Sequence, residues 1–152
     1  MQNHVYWYLF AGTPTSPAFD SWKSAVPNCE KLFDANTRNY GDRVRKIKNK
    51  SEEALQKLAA EGSLFDLIYI DGDHSRNAVF RDSVLAWPLL RKRGLLIWDD
   101  YKLRPNGPSE ERPEHAIDQF LLEREEEYLE LHRGYQIIVQ KIVHAAPSQG
   151  GA

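Results

Sequence analysis

Phe65-Asp66-Leu67-Ile68-Tyr69-Ile70-Asp71-Gly72-Asp73-His74 decides the fold. It is an apolar run without alternation, and it ends abruptly in carboxylates. Such a run predicts a strand buried on both faces, as in a parallel sheet covered by helices. Gly94-Leu95-Leu96-Ile97-Trp98-Asp99-Asp100-Tyr101 repeats the form. Between the two, Ser75 to about Lys92 predicts a helix with Val79, Leu85, Leu89 and Leu90 on its apolar side. Ser75 is its expected cap, Pro88 its kink or end, and Gly94 the close of the turn into the next strand. This strand-helix-strand unit is long enough for a right-handed crossover, so the two strands are expected to be adjacent and parallel. Ligands of open α/β sheets sit just beyond the carboxyl ends of such strands. Asp71, Asp73, Asp99 and Asp100 would meet at that edge.

The flanking segments complete an α/β domain. Val5 to Phe10 suits a short strand, and Gly12-Thr13-Pro14-Thr15-Ser16-Pro17 breaks regular structure after it. Ser21 to Asn36 reads as helical with an interruption near Pro27. Arg43 to Lys48 alternates enough for a strand near a sheet edge. Ser51 reads as the N-cap of a helix carrying Ala54, Leu55 and Leu58, which Gly62 ends. Tyr101 to Arg112 is a polar loop, and Pro113 opens a helix with Ala116, Ile117, Phe120 and Leu121 at helical spacing. Tyr128 to His132 and Tyr135 to Val143 read as a hairpin turning at Arg133-Gly134. One domain is expected over residues 1–144, with residues 145–152 a disordered tail.

Bulk properties narrow the function classes. At 152 residues, 41% apolar and 28% charged, the chain can bury a sizeable core. A net charge of -2 gives no argument for nucleic acid or an anionic membrane. Basic side chains prevail up to Lys50 and acidic ones from Glu110 to Glu130, a pattern expected of two solvated faces. Cys29 is the single cysteine, so no intrachain disulfide forms and a reducing compartment is expected. The N-terminal apolar run is too short to span a bilayer and lacks a basic start, which makes cytoplasm the default expectation.

From Phe33 onward the chain resembles the class I S-adenosylmethionine-dependent methyltransferases, in the branch of sugar and macrolide O-methyltransferases. Leu32-Phe33-Asp34-Ala35-Asn36-Thr37, Gly41-Asp42-Arg43-Val44 and Ser51 with Glu53 to Leu58 carry the resemblance. The two strand-and-acid stretches, Arg81-Asp82 and Trp87-Pro88-Leu89-Leu90 carry the rest. The resemblance implies a three-layer, Rossmann-like sheet, mostly parallel, with a C-terminal antiparallel hairpin. The family's Gly-rich turn after its first strand has no counterpart before Phe33, so the sheet reads as N-terminally truncated. Weak binding of S-adenosylmethionine by the chain alone is therefore expected. Asn49-Lys50-Ser51 stands where relatives carry Gly-Asp-Ser beside the adenine.

The resemblance also assigns chemistry. It implies a cation such as Mg²⁺ on Asp71, Asp99 and Asp100, and cofactor contacts at Asp71, Gly72 and Ser51. Several carboxylates converging without Lys or Arg repel one another, and a hard cation relieves this. Asp73 is the implied base for a substrate hydroxyl, and His74 a second candidate base or cofactor contact. Trp98 and Tyr101 are candidates for stacking on a ring, Trp98 more simply as core. The implied partner is a small hydroxylated molecule, and a homo-oligomer is open. Two other readings stand beside this one. The first is a catalytically dead binding module of the same fold. The second is a glycosyltransferase using Asp71-Gly72-Asp73 as an Asp-x-Asp metal motif, which leaves Asp99-Asp100 unexplained.

Overall fold

The structure is a computed structural model, and it describes residues 30–142. The expected strand at Val5–Phe10, the break after it, Cys29 and the expected tail lie outside the described residues. Helix α1 covers residues 30–37 and runs into a 3-10 stretch, Arg38–Arg43. Then follow α2 (Ser51–Ala60), β1 (Phe65–Ile70), α3 (Arg76–Ala86), β2 (Leu90–Trp98), α4 (Pro113–Leu122), β3 (Tyr128–Arg133) and β4 (Ile137–Lys141). No helix among them is long and apolar enough to cross a membrane.

The sheet order is β1-β2-β4-β3. β1 and β2 are parallel, as their matching apolar runs require, and Leu67, Ile68, Tyr69 and Ile70 pair with Leu95 through Trp98. β4 runs antiparallel to both β2 and β3, which makes the C-terminal hairpin the far edge. Ile68, Leu96, Trp98, Ile137 and Val139 share one core with residues of α2, α3 and α4. Phe120 of α4 stands edge-on to Trp98 and Trp87, with ring centres 5.6 Å apart in each pair. Trp98 Nε1 donates to Ser83 Oγ of α3 at 2.8 Å, so the one polar atom of this large ring is satisfied. Trp98 is therefore core and not a stacking platform. On the opposite face Leu67 and Tyr69 of β1 stay 49% and 43% exposed. Thus α2–α4 cover one face, and burial of β1 on both faces is not seen among the described residues.

Several local expectations are corrected. Residues 44–48 form no strand. Arg45 pairs with Glu61, and Lys46 and Lys48 pair with Glu30, so side-chain ion pairs rather than a ladder hold this segment. Ser51 is the first helical residue of α2, and Lys50 stands at the cap without a side-chain bond. The α3 helix ends at Ala86 rather than near Lys92. Pro88 lacks an N–H, so the chain tightens into a 3-10 turn at Trp87–Leu89 and leaves it extended. β2 thus begins at Leu90, which pairs with Phe65, while Leu67 already pairs with Leu95. The surplus residues bulge out through Arg93, whose φ is 65°. Gly94 follows under close backbone, because a Cβ there would stand 2.8 Å from Leu90 Cδ1 and 3.0 Å from the Asp66 carbonyl. Arg133 belongs to β3, and the chain reverses at Gly134 to Gln136, closed by the Gly134 N–H on the Gln136 carbonyl at 2.9 Å.

Candidate functional site

The parallel ladder carries the carboxylates to one place. The Asp99 N–H donates to the Ile70 carbonyl at 3.1 Å, so the strands stay paired to their last residues. Asp71 and Asp99 then leave the sheet side by side. Asp73 Oδ1 accepts the Ser75 N–H at 2.8 Å and fixes the turn that opens α3. Ser75 is the cap residue, but its side chain makes no capping bond. Held by this turn, His74 Nδ1 stands 3.3 Å from Asp100 Oδ2. Asp71, His74 and Asp100 each offer one ligand atom, and these atoms all lie within 4.8 Å of one another. Two carboxylates and an imidazole at that spacing fit a divalent cation.

Asp99 faces different partners. Its Oδ1 accepts Tyr69 Oη at 2.6 Å and Gln136 Nε2 at 2.5 Å, and Gln136 also donates to Tyr69 Oη at 2.8 Å. Tyr135 Oη donates to the other acid, Asp100 Oδ1, at 3.0 Å. The turn of the C-terminal hairpin therefore holds both carboxylates that end β2. Tyr101 ties that turn down: its N–H donates to the Tyr135 carbonyl at 3.0 Å, and its hydroxyl sits between Asp118 and Arg133. Tyr101 is buried, 7% exposed, which removes it from ring stacking with a ligand. Sequence reading missed Tyr69, Tyr135 and Gln136. The available signal was Tyr69, a phenol two residues ahead of the strand-ending acid; nothing in the sequence joins it to Gln136.

Electrostatics follow the geometry. Partial desolvation raises the Asp71 carboxyl above the usual carboxylate range, and the Asp99 and Asp100 charges add to this while His74 opposes it. Burial pushes the Tyr69 hydroxyl far up, reinforced by its bond to Asp99, so it is a neutral donor. Among the described residues the cluster of Asp71, His74 and Asp100 is the group with this convergence. His115 and His132 are not part of it.

Gly72 and Ser51 do come together. A Cβ on Gly72 would lie 3.7 Å from Asp82 Oδ2 and 3.8 Å from Ser51 Oγ. The turn after β1 therefore rests on two buried polar side chains, 5% and 4% exposed. Burial pushes the Asp82 carboxyl up to about 6. Ser51 and Arg81 ease its charge in part, while Asp73 and Glu52 oppose that. Both side chains are buried, and neither Ser51 Oγ nor Asp82 Oδ1 meets a partner in hydrogen-bond geometry. An acid raised in the fold costs no stability below pH 4, loses stability between about pH 4 and 6, and carries the full penalty above. Asp82→Asn is expected to abolish that slope and to stabilise the protein at pH 7 by up to about 3 kcal/mol. Urea unfolding at pH 4 and pH 7 measures it; equal destabilisation by the variant at both pH values would contradict the assignment.

Residues 11–101 match the family described as "Methyltransferase domain", so the match begins upstream of Phe33, where the resemblance read from the sequence starts. No curated protein matches the sequence. Similar solved structures include the O-methyltransferase NovP, with TM-score 0.58 and 19% identity, covering 75% of this chain and 45% of NovP. An O-methyltransferase from Bacillus cereus in complex with S-adenosylhomocysteine gives 0.55 and 22%, covering 72% and 56%. The mycinamycin-pathway methyltransferase MycE, in complex with Mg, S-adenosylhomocysteine and mycinamycin VI, gives 0.52 and 20%, covering 66% and 32%. The chain thus spans between about a third and somewhat over half of these structures, and the likeness establishes the Rossmann-like fold.

Proposed function

Because this chain belongs to the methyltransferase-domain family, we propose that its acidic sheet edge serves S-adenosylmethionine-dependent O-methylation of a small hydroxylated molecule, assisted by a divalent cation. One observation carries the reading: Asp71, His74 and Asp100 converge at the ends of two parallel strands, inside the residues that match the family. Similar structures hold S-adenosylhomocysteine, and MycE holds Mg and mycinamycin VI as well, which supports the ligand classes. The cofactor, when bound, supplies the methyl group, and the cation lowers the pKa of a coordinated hydroxyl.

The chain's own residues orient and take the proton. Asp71 and Asp100 hold the cation side. Asp73 is the base, with Oδ1 fixed by the Ser75 amide so that Oδ2 receives the substrate proton. Gly72, resting on Ser51 and Asp82, lets the backbone come near the cofactor at the end of β1. Asn49-Lys50 before Ser51 provides no acid for the adenine amino group, and cofactor binding by this chain on its own is accordingly weak.

Isothermal titration with S-adenosylhomocysteine and with a nucleoside diphosphate, each with and without Mg²⁺, tests the reading. The expected result is saturable but weaker than micromolar binding of S-adenosylhomocysteine and none of the nucleoside diphosphate. Micromolar binding would keep the function and overturn its weak-cofactor component. Mg²⁺-dependent binding of the nucleoside diphosphate alone would replace methyl transfer with glycosyl transfer.

A further inference from the structure

We propose that the cation of this site is held by Asp71, His74 and Asp100, with Asp99 outside its coordination shell. The imidazole then turns the site towards Mn²⁺, Co²⁺ or Zn²⁺ and away from Mg²⁺. The inference rests on the metal-assisted reading above and changes which residues and which ion carry it.

Geometry separates the two acids that end β2. Asp100 divides its oxygens: Oδ1 accepts the Tyr135 hydroxyl at 3.0 Å, and Oδ2 stands 3.3 Å from His74 Nδ1. Two ligands at right angles about a small divalent ion, with bonds of about 2.1 Å, lie roughly 3 Å apart. The His74–Asp100 spacing is close to that, and Asp71 completes a set within 4.8 Å that small side-chain rotations can close. Asp99 is engaged elsewhere. Its Oδ1 takes two donors, Tyr69 and Gln136, which also bond to each other. Asp99 is also absent from the set of residues whose ligand atoms converge within 4.8 Å among the described residues.

Charge and ligand chemistry point the same way. Asp71 and Asp100 carry two negative charges, which one divalent cation balances, while the third charge, on Asp99, is already met by neutral donors. Mg²⁺ strongly prefers oxygen and gives up water reluctantly. Imidazole is a good ligand for later divalent ions of the first transition row, whose affinity for nitrogen donors exceeds that of Mg²⁺. The turn that delivers His74 is itself fixed by Asp73 Oδ1 on the Ser75 amide, so the nitrogen is positioned before any ion arrives.

Titration of the 152-residue protein with Co²⁺, Mn²⁺ and Mg²⁺, followed by calorimetry and by the visible bands of bound Co²⁺, tests the assignment. Co²⁺ and Mn²⁺ are expected to bind at least about tenfold tighter than Mg²⁺. His74→Ala is expected to weaken Co²⁺ by about 10–100-fold and to shift its visible bands, with Mg²⁺ changed by no more than about twofold. Asp99→Asn is expected to leave Co²⁺ within about threefold of wild type with the bands unmoved. Circular dichroism confirms that both variants are folded. If Asp99→Asn loses the ion and His74→Ala keeps it with unchanged bands, the inference is overturned while the metal-assisted reading survives. If the wild type binds none of the three ions, both are overturned.

Discussion

Asp71→Asn is expected to lower divalent-cation affinity by about 100-fold or more, beyond the 10–100-fold typical for loss of a partner behind a ligand. Asp71 directly follows β1, and it and Asp100 beyond β2 are the two carboxylates of the cluster. Its folded carboxyl is raised above the usual range by partial desolvation and by Asp99 and Asp100. The sign of the pH effect follows. A raised acid holds its proton to higher pH, and a cation must displace that proton, so affinity falls as pH drops through the raised value. In the Asn variant this part of the pH dependence disappears with the binding. Calorimetric titration with Mn²⁺ at two pH values reads both effects. Unchanged affinity would remove Asp71 from the site.

Phe120→Ala is expected to cost about 3–5 kcal/mol of stability without touching the cation cluster. Phe120 is fully buried and meets both Trp87 and Trp98 edge-on. Trp98 ends β2 directly before Asp99, so this aromatic group joins α4 to the strand that delivers the acids. Removing the ring leaves a cavity between two indoles that cannot close without moving α4 or β2. Urea unfolding measures the loss. A cost under about 1 kcal/mol would show that the packing at α4 is loose.

Legibility in the sequence differed along the chain for physical reasons. β1 and the final turns of β2 were readable because an apolar run ending in acid has few other uses. Their parallel pairing followed from the helix-length connection. The start of β2 was not readable. Leu89 and Leu90 fit a helical stripe, and only the missing N–H of Pro88 and the crowding at Gly94 shift them to a turn and a bulged strand. Arg43 to Lys48 alternated like a strand, yet its Lys and Arg side chains found acids on α1 and at the end of α2 instead. At the ends of β1 and β2, the sequence pointed to the edge where Asp71 and Asp100 do come within reach of one another. It could not separate Asp99 from Asp100. That difference is made by Gln136 and Tyr135, more than thirty residues away and brought back by the hairpin. His74, the third member of that cluster, was visible as a residue but not as a direction, because the Asp73–Ser75 turn sets where its ring points.

The proposed cation site lies where the carboxylates at the ends of β1 and β2 meet His74. Anomalous diffraction from crystals of the protein grown with Mn²⁺ tests it most directly. One strong peak is expected, bounded by Asp71, His74 and Asp100, and absent from crystals of Asp71→Asn. Mn²⁺ peaks elsewhere on the protein with none at that edge, or a peak there that persists in the Asn variant, would contradict it.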